Sequence, residues 1–151
     1  MFWHSNNNLY DQNSFYAAFI KDIEHSKKRV IIESPFITTK RINQLSPILS
    51  RLIRRGVAVV INTKPVEEQN VLLRNMAHDG IATLQDIGVQ VIITAGHHRK
   101  LAIIDDDIIW EGSLNILSQN DSCEIMRRIH SEQMVSQMLS FLNLDRFCTI
   151  K

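Results

Sequence analysis

His98 and Lys100 lie two positions apart, and Asp105, Gly112, Ser113 and Asn115 follow within the same short stretch. Residues 98–115 read H-R-K-L-A-I-I-D-D-D-I-I-W-E-G-S-L-N. In an extended chain alternate side chains share a face, so an imidazole and an ammonium are offered to the same side. A nucleophile or proton carrier, a fixed cation and small neutral donors are what phosphoryl transfer asks of a metal-free site.

The element that positions these residues is a predicted β-hairpin. Two apolar runs, residues 101–104 and 108–110, flank the acidic tripeptide Asp105, Asp106, Asp107. Short β-branched runs around a turn-forming cluster read as paired strands. The second strand then delivers Gly112, Ser113 and Asn115 to a crowded, hydrogen-bonded pocket.

The spacing His98-x-Lys100, four residues, Asp105, six residues, Gly112-Ser113-x-Asn115 resembles the HKD signature of the phospholipase D superfamily, with six specified positions in register. Glu124 falls where members carry a glutamate after the Asn. Glu33-Ser34-Pro35-Phe36-Ile37 looks like the strand-end segment that opens many such domains. The signature occurs once, as in single-motif phospholipase D-like endonucleases and in nuclease-like domains appended to some bacterial helicases. The resemblance implies a phospholipase D-like α/β/α sandwich with a mixed, mainly parallel sheet flanked by helices. It also implies metal-independent chemistry needing no cofactor.

The chain has 151 residues, 44% hydrophobic and 22% charged, with a net charge of +1. That is enough for one globular domain with a proper core, and it excludes a global basic field that would recruit nucleic acid. Any such binding must come from local patches. Cys123 and Cys148 have no metal-ligand spacing and suggest reduced thiols rather than a disulfide framework. No apolar run approaches the roughly 20 residues of a spanning helix, and the polar, Asn-rich start does not read as a signal peptide. The expected compartment is the cytoplasm, without membrane association.

Residues 1–12 are expected to be a flexible arm and 13–151 a single domain. A helix over residues 14–26 buries Phe15, Phe19, Ile20 and Ile23. A strand at 30–32 is stopped by Pro35. A helix over 42–55 carries Leu45, Ile48, Leu49, Leu52 and Ile53, with Pro47 as a kink or true start, and leads to a strand at 57–61. A helix over 69–86, strained at Gly80, precedes a strand at 89–93. After the hairpin come a strand at 123–129 and a helix over 131–147 with Met134, Met138, Leu139 and Leu142 inward. Two successive strand-helix-strand crossovers argue for parallel pairing.

An imidazole that attacks phosphorus splits one difficult displacement into two. The leaving alkoxide needs a proton from the opposite side, which one imidazole cannot readily supply. One motif is therefore half a site, and the expected assembly is a two-fold homodimer sharing two copies of His98. Lys100 would neutralise the non-bridging oxygens; Asn115 and Ser113 would donate to them; Glu124 would orient the imidazole. Asp105, by resemblance, supports the site rather than reacting. Ser113 and Asn115 alternatively satisfy turn backbone groups, and Glu124 is alternatively a solvent-facing strand residue.

His97 beside His98 invites a metal, but adjacent extended residues face opposite ways, so no metal is expected. Candidate phosphate contacts are Lys40, Arg41, Lys64 and Arg99, with further cations at Arg51, Arg54, Arg55, Arg127 and Arg128. Phe36 and Trp110 would stack on bases or pack in the core. The expected substrate is nucleic acid, DNA ahead of RNA, for a free-standing enzyme or one associated with a helicase. A phospholipase or phosphatidyl transferase, for which Met1-Phe2-Trp3 is the one apolar opening, and a non-catalytic DNA-binding or dimerisation module are the alternatives.

Overall fold

A computed structural model describes residues 7–118 and 122–147. Met1-Phe2-Trp3, His4 and Cys148 lie outside the described residues. In chain order the elements are β1 (Asn7–Asp11), α1 (Phe15–Glu24), β2 (Arg29–Glu33), α2 (Thr39–Arg54), β3 (Ala58–Thr63), α3 (Arg74–Asp86), β4 (Gln90–Ile93), β5 (Leu101–Ile104), β6 (Ile108–Gly112), β7 (Ile125–His130) and α4 (Glu132–Phe141). The strands form one sheet in the order β1-β7-β6-β5-β2-β3-β4.

The sandwich and the mixed sheet are as expected, but parallel pairing does not dominate. Only β2–β3 and β3–β4 run parallel; β2–β5, β5–β6, β6–β7 and β1–β7 are antiparallel. Parallel neighbours need a long crossover, and only α2 and α3 supply one. Beyond β4, β5 docks antiparallel on β2, β6 and β7 follow as successive antiparallel neighbours, and β1 adds to the far edge of β7.

Alternation splits the core between two faces. On one, Phe15, Phe19 and Ile23 of α1, Leu45, Leu49 and Leu52 of α2 and Leu84 of α3 pack on Val30, Ile32, Val59 and Ile61. Trp110, fully buried, centres the aromatic part: Phe15 and Tyr10 meet it edge-on at 5.1 and 4.9 Å. Its Nε1 donates to Asp22 at 2.8 Å, so this ring belongs to the core and not to a base-stacking surface. On the other face Val135 and Leu139 of α4 cover Ile31, Val60, Ile103, Ile109 and Ile129.

Three boundaries differ from expectation. The arm is a strand from residue 7 onward, because β7 has a free edge and Tyr10 a place against Trp110. The third helix begins at Arg74, after 3₁₀ turns Val66–Glu68 and Val71–Leu73. Gly80 does not break it. A Cβ there would come within 2.5 Å of Ile37 Cγ2, so the glycine serves close packing. The last helix stops at Phe141, and Met134 is exposed rather than inward.

The acidic tripeptide fastens the turn end of the hairpin. Asp105 adopts a left-handed φ of 52°, which Asp tolerates better than most residues. Its carboxylate accepts the backbone N–H groups of Lys27, Lys28 and Arg29 at 3.0, 2.7 and 3.2 Å. Asp106 pairs with Lys28 and Arg29, and Asp107 with His130 at 2.9 Å. Replacing Asp105 with Ala should cost roughly 2 kcal/mol in urea denaturation, the scale of charged hydrogen bonds lost. Turnover per folded molecule should stay at the wild-type level.

Candidate active site

Most of the candidate side chains gather at one end of the sheet. Parallel β2 and β3 bring Glu33 and Thr63 to that end, and antiparallel β5 starts there, with Glu33 opposite both Asn62 and Leu101. The hairpin returns β6 to the same end, where Gly112 stands opposite Met126. His98, Arg99, Lys100, Gly112, Ser113 and Arg127 line an open cleft of about 930 Å³.

Lys100 Nζ donates to His98 Nδ1 at 3.0 Å and to the His98 carbonyl at 2.9 Å. An ammonium donating to Nδ1 places the proton of a neutral imidazole on Nε2. Lys100 has its ammonium pulled below the usual lysine range, chiefly by burial; the Lys64 charge adds to this and the Glu124 carboxylate opposes it. Both groups are thus within electrostatic reach of Lys100. Lys64 Nζ sits 3.9 Å from the centre of the Phe36 ring, a cation–π contact at the end of β3.

Ser113 and Asn115 differ in what holds them. The Ser113 hydroxyl accepts the Ile125 N–H at 3.0 Å and lies 3.4 Å from the Ile125 carbonyl, so it closes the mouth of the β6–β7 pair. Asn115 Oδ1 is buried with no hydrogen-bond partner among the described residues. Its loop is tied down on three sides. Tyr16 donates to the Ile116 carbonyl at 2.8 Å, the Leu117 N–H to Ser34 Oγ at 3.1 Å, and the Thr38 N–H to the Leu117 carbonyl at 2.9 Å.

Asp105 is not at the cleft. Four residues of extended chain lie between it and Lys100, a span of about 16 Å at the usual rise, and its carboxylate is engaged at the turn. Arg41 is committed as well: its guanidinium lies 3.5 Å above the Tyr16 ring and its Nε donates to the Ser118 carbonyl. Lys40 is exposed at the start of α2. Arg128 makes two hydrogen bonds to Asp22, and Arg55 binds the carbonyls of Glu24 and Ser26, so neither is free for phosphate.

What inspection of the sequence missed is a pairing beneath the motif, between two residues it had noticed separately. His97, which invited a metal, is buried; its Nε2 lies 3.1 Å from the Asn62 carbonyl and 3.0 Å from Glu33 Oε2. Its N–H is aimed at the carbonyl rather than at the Glu33 carboxylate. Burial pushes the Glu33 carboxyl up, opposed by Arg99 and the Asn62 side chain, and pushes the His97 imidazole down. The one signal was a charged residue ending an otherwise apolar strand. Glu68, from the 3₁₀ turn after β3, accepts the Gly96 N–H at 2.9 Å and fastens the same loop.

Gly112 is required sterically. A Cβ there would lie 2.0 Å from the Ile125 carbonyl oxygen, a backbone atom that cannot yield. Gly112→Ala should therefore open the β6–β7 pairing at the cleft and cost about 3 kcal/mol by urea denaturation, the upper end of overpacking penalties.

Residues 19–145 match the family profile described as "Cardiolipin synthase, PLD-like domain". Among curated protein sequences none matches the chain significantly. Of solved structures, the phospholipase D family member Nuc from Salmonella typhimurium superposes with a TM-score of 0.73 at 15% identity, over 93% of this chain and 94% of its own. TrmBL2, an archaeal chromatin protein described with a novel mode of DNA binding, gives 0.65 at 12% identity, over 95% of this chain and 53% of its own. A phosphatidylserine synthase from Haemophilus influenzae gives 0.66 at 16% identity, over 95% of this chain and 39% of its own.

Proposed function

The chain belongs to the phospholipase D superfamily, and we propose that it is a metal-independent phosphodiesterase that cleaves nucleic acid in a site shared by two copies of the chain. The observation that carries this reading is the His98–Lys100 pair, joined at 3.0 Å and facing an open cleft. Phosphodiester chemistry fits the family; the substrate, the dimer and the residue roles are this proposal's own.

A phosphodiester entering the cleft competes for the Lys100 ammonium, which releases His98 Nδ1. His98 then exchanges its proton with solvent, losing it from Nε2 and regaining it on Nδ1, where the N–H donates to Glu124, whose charge already acts on Lys100; this leaves the Nε2 lone pair for attack. That lone pair forms the N–P bond as the P–O bond to the leaving group breaks. His98 of the second copy gives the departing alkoxide its proton. Water then attacks the phosphohistidine, loses a proton to the same second imidazole, and His98 is regenerated. Lys100 and the Asn115 amide stabilise the non-bridging oxygens.

Three features favour a polyanionic polymer. The cleft is open, Arg99 and Arg127 line it, and the Lys64 charge acts on Lys100. Cations along an open groove suit phosphate backbones. Support for pairing comes from the sheet face beside the cleft, where Leu9 and Ile125 are 66% and 64% exposed. Burying such residues against a second copy would bring the two clefts together. DNA is placed ahead of RNA, and helicase association remains part of the same proposal. Among the described residues no helix is long and apolar enough to cross a membrane.

Cleavage of single- and double-stranded DNA and of RNA in excess EDTA, for wild type and His98→Ala, tests this directly. The expected result is wild-type cleavage that survives chelation and falls at least 1,000-fold in the variant, on a species sedimenting as a dimer. Headgroup release from phosphatidyl lipids with no nucleic-acid cleavage would transfer the site to lipid. Loss of cleavage on chelation, or full activity in a stable monomer, would overturn the mechanism.

The ammonium of Lys100 must be charged to act, and burial draws it down. The alkaline limb of kcat/KM should therefore fall below the ordinary lysine value of about 10.4. Lys100→Arg should retain partial activity and lose that limb.

A further inference from the structure

We propose that Glu33 is a positioning residue, its buried carboxylate holding His97 and Arg99 from beneath so that His98 and Lys100 are presented to the cleft in one geometry. The catalytic consequence rests on the phosphodiesterase reading above; the structural one does not.

Glu33 ends β2 and is fully buried. The His97 side chain, 1% exposed, brings Nε2 to 3.0 Å from Glu33 Oε2. Arg99 Nη1 lies 3.9 Å from the same oxygen. Two alternate residues of one segment thus converge on a single carboxylate. The other two, His98 and Lys100, are joined to each other. His97 is held in one tautomer, because Nε2–H points to the Asn62 carbonyl while Nδ1 accepts the Arg99 N–H at 3.4 Å. The clamp therefore reaches the backbone of the residue lying between the two reactive ones.

A fully buried carboxylate whose nearest full positive charge lies 3.9 Å away is a cost to the fold. An uncharged amide of the same shape would avoid most of it. Local conflict of this kind is expected where a group serves a site rather than the fold. The charge also balances a cationic neighbourhood, since Arg99 and Lys100 both bear electrostatically on His97.

The test compares full-length wild type with Glu33→Gln, and with His97→Gln as the variant that breaks the same contact from its other side. Amide exchange at Arg99 and the His97 tautomer are read by NMR, and kcat and KM on a short DNA substrate. In E33Q the Arg99 amide should exchange at least tenfold faster, while His97 keeps the Nε2–H tautomer that the Asn62 carbonyl sets. kcat should fall at least tenfold with KM within twofold of wild type. Stability should move the opposite way. A carboxyl whose folded pKa is raised loses stability as pH rises through that interval, so E33Q should melt at or above wild type at pH 7.5. Unchanged exchange at Arg99, or faster exchange with unchanged kcat, would overturn the proposal. A wild type that turns over no phosphodiester would sink the functional reading instead, and the exchange measurement would still decide the clamp.

Discussion

The antiparallel pairing of β5 against β2 is the constraint on which the site depends. It is the seam between the parallel part of the sheet and the hairpin-built part, and its register sets Leu101 opposite Glu33. The residues just before Leu101 must therefore leave the sheet where β2 and β3 end. His98, Lys100, Lys64 and the Gly112 end of β6 arrive at one place for that reason. A slip of one residue would exchange the faces of every side chain in β5 and separate His98 from the cleft. The register is held by burial on both faces, since all four residues of β5 are buried.

Chemistry and stability are divided between the two ends of the hairpin. At the turn, three adjacent aspartates are spent on backbone amides and surface ion pairs. At the open end, Asn115 Oδ1 is buried without a hydrogen-bond partner among the described residues, and Lys100 is bonded to the neighbouring His98. Satisfied polar groups rigidify a structure, which suits the turn to anchoring the hairpin.

Much of this was legible in the sequence. The hairpin, the buried strands, the amphipathic helices and the position of His98 beside Lys100 follow from periodicity and spacing alone. What failed has identifiable causes. Asn7–Asp11 reads as a polar arm because its pairing is supplied by β7, far along the chain. Two crossovers suggested a mainly parallel sheet, but direction depends on where later strands dock, which local pattern does not encode. Arg41 and Arg128 read as phosphate contacts because an exposed cation and one stacked on Tyr16 or paired with Asp22 look alike in one dimension. His97 and Glu33 were each noticed, but their pairing is a tertiary fact across 64 residues of chain.

The central claim is a covalent bond between phosphorus and His98. It is tested most directly by quenching a single turnover in alkali, where phosphohistidine survives, and examining the proteolysed protein by mass spectrometry. The expected result is a transient nucleotide adduct on the peptide containing His98, formed and lost at rates consistent with turnover. Turnover with no adduct at any time, or an adduct on another residue, would contradict it.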